Sequence, residues 1–205
     1  MLSDLVPSPI MTLSRLLYAI VLAAVLGAAG CRSDAPSFKS TDITGAGFAR
    51  EFTLTDHTGK TRSLADFKGS VLVVFFGYTQ CPDVCPTTLL RMKEVIAALD
   101  PGEADRVRVA FVSVDPERDT REVLAQYVPA FDSRFIGLFG DLEATKAVTR
   151  EFKVFYMKVA GSTADNYTVD HTAASYVFDP EGRVRLMIKH GESVENIVHD
   201  LRQLL

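Results

Sequence analysis

Six consecutive apolar residues, Val71 to Phe76, interrupt an otherwise mixed pattern. A run of that length without alternation predicts a strand covered on both faces. After it, Leu89, Met92, Val95, Ile96 and Leu99 recur at helical spacing, which predicts a helix over 86–99. Pro86 suits the first turn of that helix, where a missing N–H is tolerated, and Asp100-Pro101-Gly102 ends it. Val107 to Val114 reads as the next strand. Asp119 or Thr120 can cap a helix to about Tyr127, before Pro129, and Asp141 a further one through about Phe152. Strands follow near 154–159, 175–178 and 184–189, with the turn Asp179-Pro180-Glu181-Gly182 between the last two. Ser193 caps a final helix. Upstream, Phe52-Thr53-Leu54 and Arg62-Ser63-Leu64 flank a turn at Gly59 and read as a hairpin. Strands alternating with helices, then an antiparallel pair, predict an α/β fold: a mixed central sheet with helices on both faces, preceded by an N-terminal β-hairpin extension.

The N-terminus follows a different pattern. Leu16 to Gly30 is an uncharged, mostly apolar run of 15 residues behind Arg15. It is shorter than the roughly 20 residues of a membrane span and reads as an export leader. Met11 is a second candidate start. Ala28-Ala29-Gly30-Cys31 resembles a lipoprotein processing site, with Cys31 the lipidated residue; an uncleaved peptide anchor is the alternative. Residues 32–47 are rich in Ser, Thr, Asp, Gly and Pro and read as a flexible tether. The expected organisation is a leader or anchor over 1–31, a tether over 32–47 and one folded domain over 48–205. Such a domain would face the extracytoplasmic, oxidising side of the cell envelope.

Composition narrows the function classes. Of 205 residues, 47% are hydrophobic and 23% charged, as in globular domains, and the net charge is −4. With no Lys/Arg run, nothing marks a nucleic acid as partner. The three cysteines are Cys31, Cys81 and Cys85, so the folded domain concentrates its thiols at one strand-to-helix junction.

That junction carries the chemistry. Cys85, at a helix N-terminus, is expected to have a lowered pKa. A dithiol ending the first core strand and opening a helix is the thioredoxin-like arrangement. The Cys-x-x-x-Cys spacing can close a disulfide or hold two thiolates about a metal. His171, in Val169-Asp170-His171-Thr172, sits in a loop just before a core strand, where a thioredoxin-like sheet faces its dithiol. Cys81, Cys85 and His171 together form a Cys₂His set, and thiolate-rich sites select Cu(I). Against this stand a structural disulfide, which would close too small a loop to stabilise much, and a solvated histidine. His57, His190 and His199 read as surface residues, and Met92, Met157 and Met187 as core. Asp83 and Asp170 read as solvated loop carboxylates, and Asp115 and Asp119 as capping or turn residues.

Four segments resemble one known family. Phe76-Gly77-Tyr78-Thr79-Gln80-Cys81-Pro82-Asp83-Val84-Cys85-Pro86-Thr87, Val112-Ser113-Val114-Asp115-Pro116-Glu117-Arg118-Asp119-Thr120, Asp170-His171-Thr172 and Phe178-Asp179-Pro180-Glu181-Gly182 are similar to the Sco/SenC/PrrC signatures, in the family's order. Gln80 stands where many members have a histidine, so one accessory ligand is missing. The resemblance implies an envelope-anchored, thioredoxin-like protein that binds Cu(I) or Cu(II) through Cys81, Cys85 and His171. It implies delivery to the dinuclear copper centre of cytochrome c oxidase, with the oxidase's copper-bearing subunit, a copper donor protein and a thiol reductant as partners. Some members act instead as thiol-disulfide reductases on the oxidase's copper-site cysteines or in redox signalling, with Cys81 and Cys85 as the redox pair.

Overall fold

The computed structural model describes residues 36–163 and 166–205. The leader and Cys31 lie outside the described residues. An eight-stranded mixed sheet runs in the order β1-β10-β9-β4-β5-β6-β2-β3. Its central strands are β4 (Val71–Gly77) and β5 (Val107–Ser113), paired parallel along their whole length from Val71↔Val107 to Gly77↔Ser113. On the far side of β4 lies β9 (Ser175–Phe178), antiparallel, and beyond it β10 (Val184–Ile188). On the far side of β5 lie β6 (Ile136–Phe139) and the hairpin of β2 (Thr53–Asp56) and β3 (Thr61–Ser63).

Alternation along β4 separates two cores. Val71, Val73 and Phe75 face one side, against Leu89, Met92, Val95 and Ile96 of α1 (Val84–Ala98) and Ile197, Val198 and Leu201 of α5 (Val194–Arg202). Leu124 of α3 (Arg121–Tyr127) joins that side. Leu72, Val74 and Phe76 face the other, against Val148 of α4 (Leu142–Glu151) and Phe152. Phe152 lies edge-on to Phe76 and Tyr176, with centroids 5.1 and 5.6 Å away. A strand covered on both faces has no polar side to show, which is why 71–76 carries no alternation. The helices start where expected: the side chains of Thr120, Asp141 and Ser193 accept from the N–H of Val123, Ala144 and Asn196.

Several expectations need correction. α1 begins at Val84, so Cys85 and Pro86 lie inside its first turn, and a second short helix, α2 (Pro101–Ala104), follows where an end alone was expected. β6 escapes the pattern because Ile136-Gly137-Leu138-Phe139 is a short strand interrupted by a glycine. The strand expected over 154–159 is β7 (Tyr156–Thr163), half of a separate two-stranded sheet with β8 (Asn166–His171). Met157 is therefore no core residue: it is 51% exposed on β7, beside exposed Phe155 and Val159.

The folded domain also begins before residue 48. Thr41–Asp42 forms β1, paired with Met187 and Leu186 of β10. The buried Asp200 carboxylate accepts the N–H of Lys39 and of Ser40, both at 2.7 Å. This polar stretch is ordered by a buried acceptor 160 residues away in sequence, which local composition does not display. Burial alone would raise the Asp200 pKa, but the Lys39 N–H, His199 and Ser40 outweigh it and hold it below 3.8.

Asp200→Ala should lower stability by about 3 kcal/mol, the order expected for hydrogen bonds to a buried charge, read as a lower urea midpoint at unchanged slope. The contribution of the lowered pKa is complete above the ordinary value and is lost as pH falls through the folded one. The deficit of the variant should therefore shrink only on strong acidification.

Candidate metal and thiol site

The parallel ladder delivers two loops side by side at its carboxyl end. One, after β4, carries Tyr78 to Asp83; the other, after β5, carries Val114 to Thr120. Asp119 ties them together. Its carboxylate, 1% exposed, accepts from the Thr79 hydroxyl at 2.6 Å, the Thr79 N–H at 3.1 Å and the Ser113 hydroxyl at 2.7 Å. Asp119 thus grips the loop entering Cys81 instead of capping α3, which Thr120 does. Burial raises its pKa despite those three donors. The Asp115 backbone carbonyl does hold the turn expected there, accepting from Arg118 and Asp119 N–H.

Cys85 is fully buried and Cys81 half-buried, both as free thiols. Cys85 sits against the end of β4, where only glycine fits. A Cβ on Gly77 would lie 2.5 Å from Cys85 Sγ and 2.9 Å from the Phe111 ring. Burial also reverses the expected titration order. The Cys85 thiol hydrogen-bonds to Cys81, and this, with the N–H groups of Asp83 and Cys85 and nearby His171, overcomes desolvation and brings Cys81 to about 5 from 9.0. The same bond, then burial, pushes Cys85 far up. The site therefore favours a thiolate on the half-buried Cys81, with Cys85 and the N–H groups of Asp83 and Cys85 as its donors.

His171 is the last residue of β8, not a loop residue. Its Nδ1 lies 2.9 Å from the Val169 carbonyl, which can only accept, so Nδ1 carries the proton. Nε2 is left with its lone pair facing Cys85 Sγ, 3.6 Å away. The Tyr78 ring stands edge-on to the imidazole at 5.8 Å. The structure thus brings together all three residues singled out from sequence: Cys85 Sγ lies beside His171 Nε2, and Cys81 and His171 line one cleft. Among the described residues, however, no three His, Cys, Asp or Glu side chains form a ready-made metal cage. Sulfur and nitrogen ligands about 2.3 and 2.1 Å from one ion stand roughly 3.6–3.8 Å apart, so the Cys85–His171 separation fits two ligands of a shared ion.

A cleft of about 300 Å³ opens over the site between Tyr78–Val84 and Thr168–Ala173. Asp83 and Asp170 are exposed on its rim, as expected of solvated carboxylates. A larger hollow of about 530 Å³ elsewhere is lined by Arg50, Arg183 and Arg185. Those arginines pair with Glu151 and Asp179, and the hollow contains no thiol or imidazole. The other histidines stay apart from the site: His57 accepts from Gly137 N–H, His190 lies beside Thr88, and His199 beside Asp200.

The SCO1/SenC family model matches residues 40–205. The chain belongs to the SCO1/SenC family. An SCO2-like protein of Rickettsia felis is 40% identical over 134 residues, 65% of each chain, so the match spans slightly less than two thirds of that relative. A solved structure of Bradyrhizobium japonicum ScoI with copper bound is 39% identical, with TM-score 0.71, covering 77% of this chain and 99% of that one. Apo Sco1 from Thermus thermophilus is 40% identical, with TM-score 0.74, covering 84% and 99%. The thioredoxin-like fold expected from the dithiol position is the one observed.

In this SCO1/SenC member, Gly77, Ser113 and Asp119 support the site without touching its mouth. All three lie inside the family segments, but their roles require knowing that β4 and β5 end together. Gly77→Ala should lower stability by about 1–3 kcal/mol through overpacking and expose Cys85 to a thiol reagent that leaves it untouched in the native reduced protein. Of the two site thiols, alkylation of the reduced chain should modify only Cys81, with a midpoint near pH 5. Its rate should fall below that pH as the thiolate is protonated, while Cys85 stays unreactive through neutral pH.

Proposed function

We propose that this chain is a copper metallochaperone of the cell envelope, holding Cu(I) through Cys81, Cys85 and His171. The observation that carries this is the His171 geometry. Its Nδ1 is committed to Val169, and its free Nε2 lone pair faces the buried sulfur at 3.6 Å. Orienting a ligand imidazole through its other ring nitrogen is the common design at metal sites. The chemistry of the set agrees, since thiolates and an imidazole suit Cu(I) and the lowered Cys81 pKa favours the thiolate that binding needs. The copper-bound Bradyrhizobium relative supports the same reading.

Copper is the cargo in this reading. The chain's own residues bind and orient it, and the half-exposed Cys81 at the cleft mouth is where an incoming thiolate of a recipient would exchange. Family membership and the resemblance of the four segments support the dinuclear copper centre of cytochrome c oxidase as destination. A copper donor and a thiol reductant would complete the cycle. Among the described residues no helix is long and apolar enough to cross a membrane, so the proposed anchor is the 1–31 leader, lipidated at Cys31. The linker would then be the shorter stretch before the folded unit that begins at Ser37.

One observation favours a second reading. A half-exposed, low-pKa thiol backed by a buried, high-pKa one is the layout of a thiol-disulfide reductase. Cys81 would attack a substrate disulfide, and Cys85 would then resolve the mixed disulfide, leaving the pair oxidised and the substrate dithiol reduced.

An anaerobic Cu(I) competition titration separates the two. The reduced wild type should bind one Cu(I), and His171→Ala should lose about a hundredfold in affinity or more, beyond the roughly 10–100-fold seen for outer-shell partners. Equal affinity in both proteins would remove His171 from the site and leave disulfide reduction, which needs no imidazole there.

A further inference from the structure

The hairpin that supplies His171 is poorly secured by its own packing. β7 and β8 form a two-stranded sheet apart from the main one, and such a unit is marginal in water by itself. One face bears exposed Phe155, Met157 and Val159, so nothing covers it there. The opposite face presents Tyr167, Val169 and His171, alternate residues of β8. That face packs Val169 beside Tyr78 and sets His171 edge-on to the Tyr78 ring, and the side chain that ties it by hydrogen bonds to the dithiol loop and to the β5 turn together is Arg118.

Arg118 is 13% exposed and reaches three segments at once. Its Nε donates to the buried Asp115 carboxylate at 2.5 Å. Its Nη1 donates to the Gln80 side-chain oxygen at 3.1 Å and to the Tyr167 backbone carbonyl at 2.9 Å. Its guanidinium carbon stands 3.5 Å from the Tyr167 ring centroid and 5.6 Å from that of Tyr78. Tyr167 closes the circuit by donating its hydroxyl to the other Asp115 oxygen at 2.7 Å. Arg118 Nη2 is buried with no hydrogen-bond partner, so two of the five guanidinium N–H donors are unused in this arrangement. A flat, forked cation can stack on a ring and serve acceptors on two segments together, as a compact ammonium does not.

We propose that Arg118 is a positioning residue that latches the His171 hairpin to the Cys81 loop, with Asp115, Tyr167 and Gln80 as its catches. The latch rests on the copper reading only for its purpose, which is to present imidazole and thiols in one fixed geometry before metal arrives. Gln80 gains a role here: adjacent to Cys81, it ties the dithiol loop to the same guanidinium that holds the hairpin. An untethered hairpin would have to be ordered by the metal itself, and affinity would fall accordingly.

The test uses the reduced full chain with Arg118→Lys, which keeps a cation beside Asp115, and with Tyr167→Ala, which leaves the Asp115–Arg118 pair intact. Amide hydrogen exchange across 166–171 should speed up about tenfold or more in both, while the β4 and β5 amides keep wild-type protection. Cu(I) affinity, by anaerobic chelator competition, should fall about tenfold in Arg118→Lys. It should fall little further when that change is added to His171→Ala, since both act through one ligand. Unchanged hairpin exchange would overturn the latch, as would loss of protection throughout the sheet, or an Arg118→Lys effect that adds in full to His171→Ala. Failure of the wild type to bind Cu(I) would instead overturn the copper reading, and the exchange data would still decide the latch.

Discussion

The site depends on one backbone arrangement: β4 and β5 run parallel in register for seven residues and end together at Gly77 and Ser113. Parallel strands end at the same edge, so the loops leaving them are neighbours. One brings the thiols and the other brings Asp119 and Arg118. Side-chain contacts across that edge hold the dithiol loop, as with Thr79 to Asp119 and Gln80 to Arg118. Two apolar cores clamp the strands from both sides, so the edge is rigid and the loops inherit its placement.

Burial then differentiates two thiols that look equivalent in sequence. Cys85 is packed at the end of the core and stays protonated, while Cys81, four residues away, becomes the thiolate. A hydrogen bond between unequal neighbours moves the two pKa values apart, and a low-dielectric setting strengthens the effect. The same asymmetry serves ligand exchange and disulfide exchange. His171 bears on the choice between the two readings, because an imidazole oriented through Nδ1 with its Nε2 toward the buried sulfur suits a metal ligand.

The hairpin behind His171 is a different kind of element. It lies outside the main sheet, shows an apolar stripe to solvent and makes its polar attachments through side chains of the β5 turn. A ligand on such an element is held as well as its tether allows. The buried Asp115, shared between Arg118 and the Tyr167 hydroxyl, is what makes that tether stiff.

Much was legible in the chain itself. The doubly covered strand, the amphipathic α1, the side-chain caps at Asp141 and Ser193, and the Cys81–Cys85 junction all rest on signals within a few residues, so local pattern determined them, whereas Thr120 was one of two candidate caps until the structure gave Asp119 another role. Cys81, Cys85 and His171 were named by residue type and by their place in the fold. What tertiary structure alone decided involves partners far apart in sequence. The Asp200 acceptor orders residues 39 and 40, the missing Cβ of Gly77 seats Cys85, and Arg118 bridges Gln80 to Tyr167. Which thiol ionises belongs with these, because a pKa is set by burial and by neighbours in space, and neither is written in the order of residues.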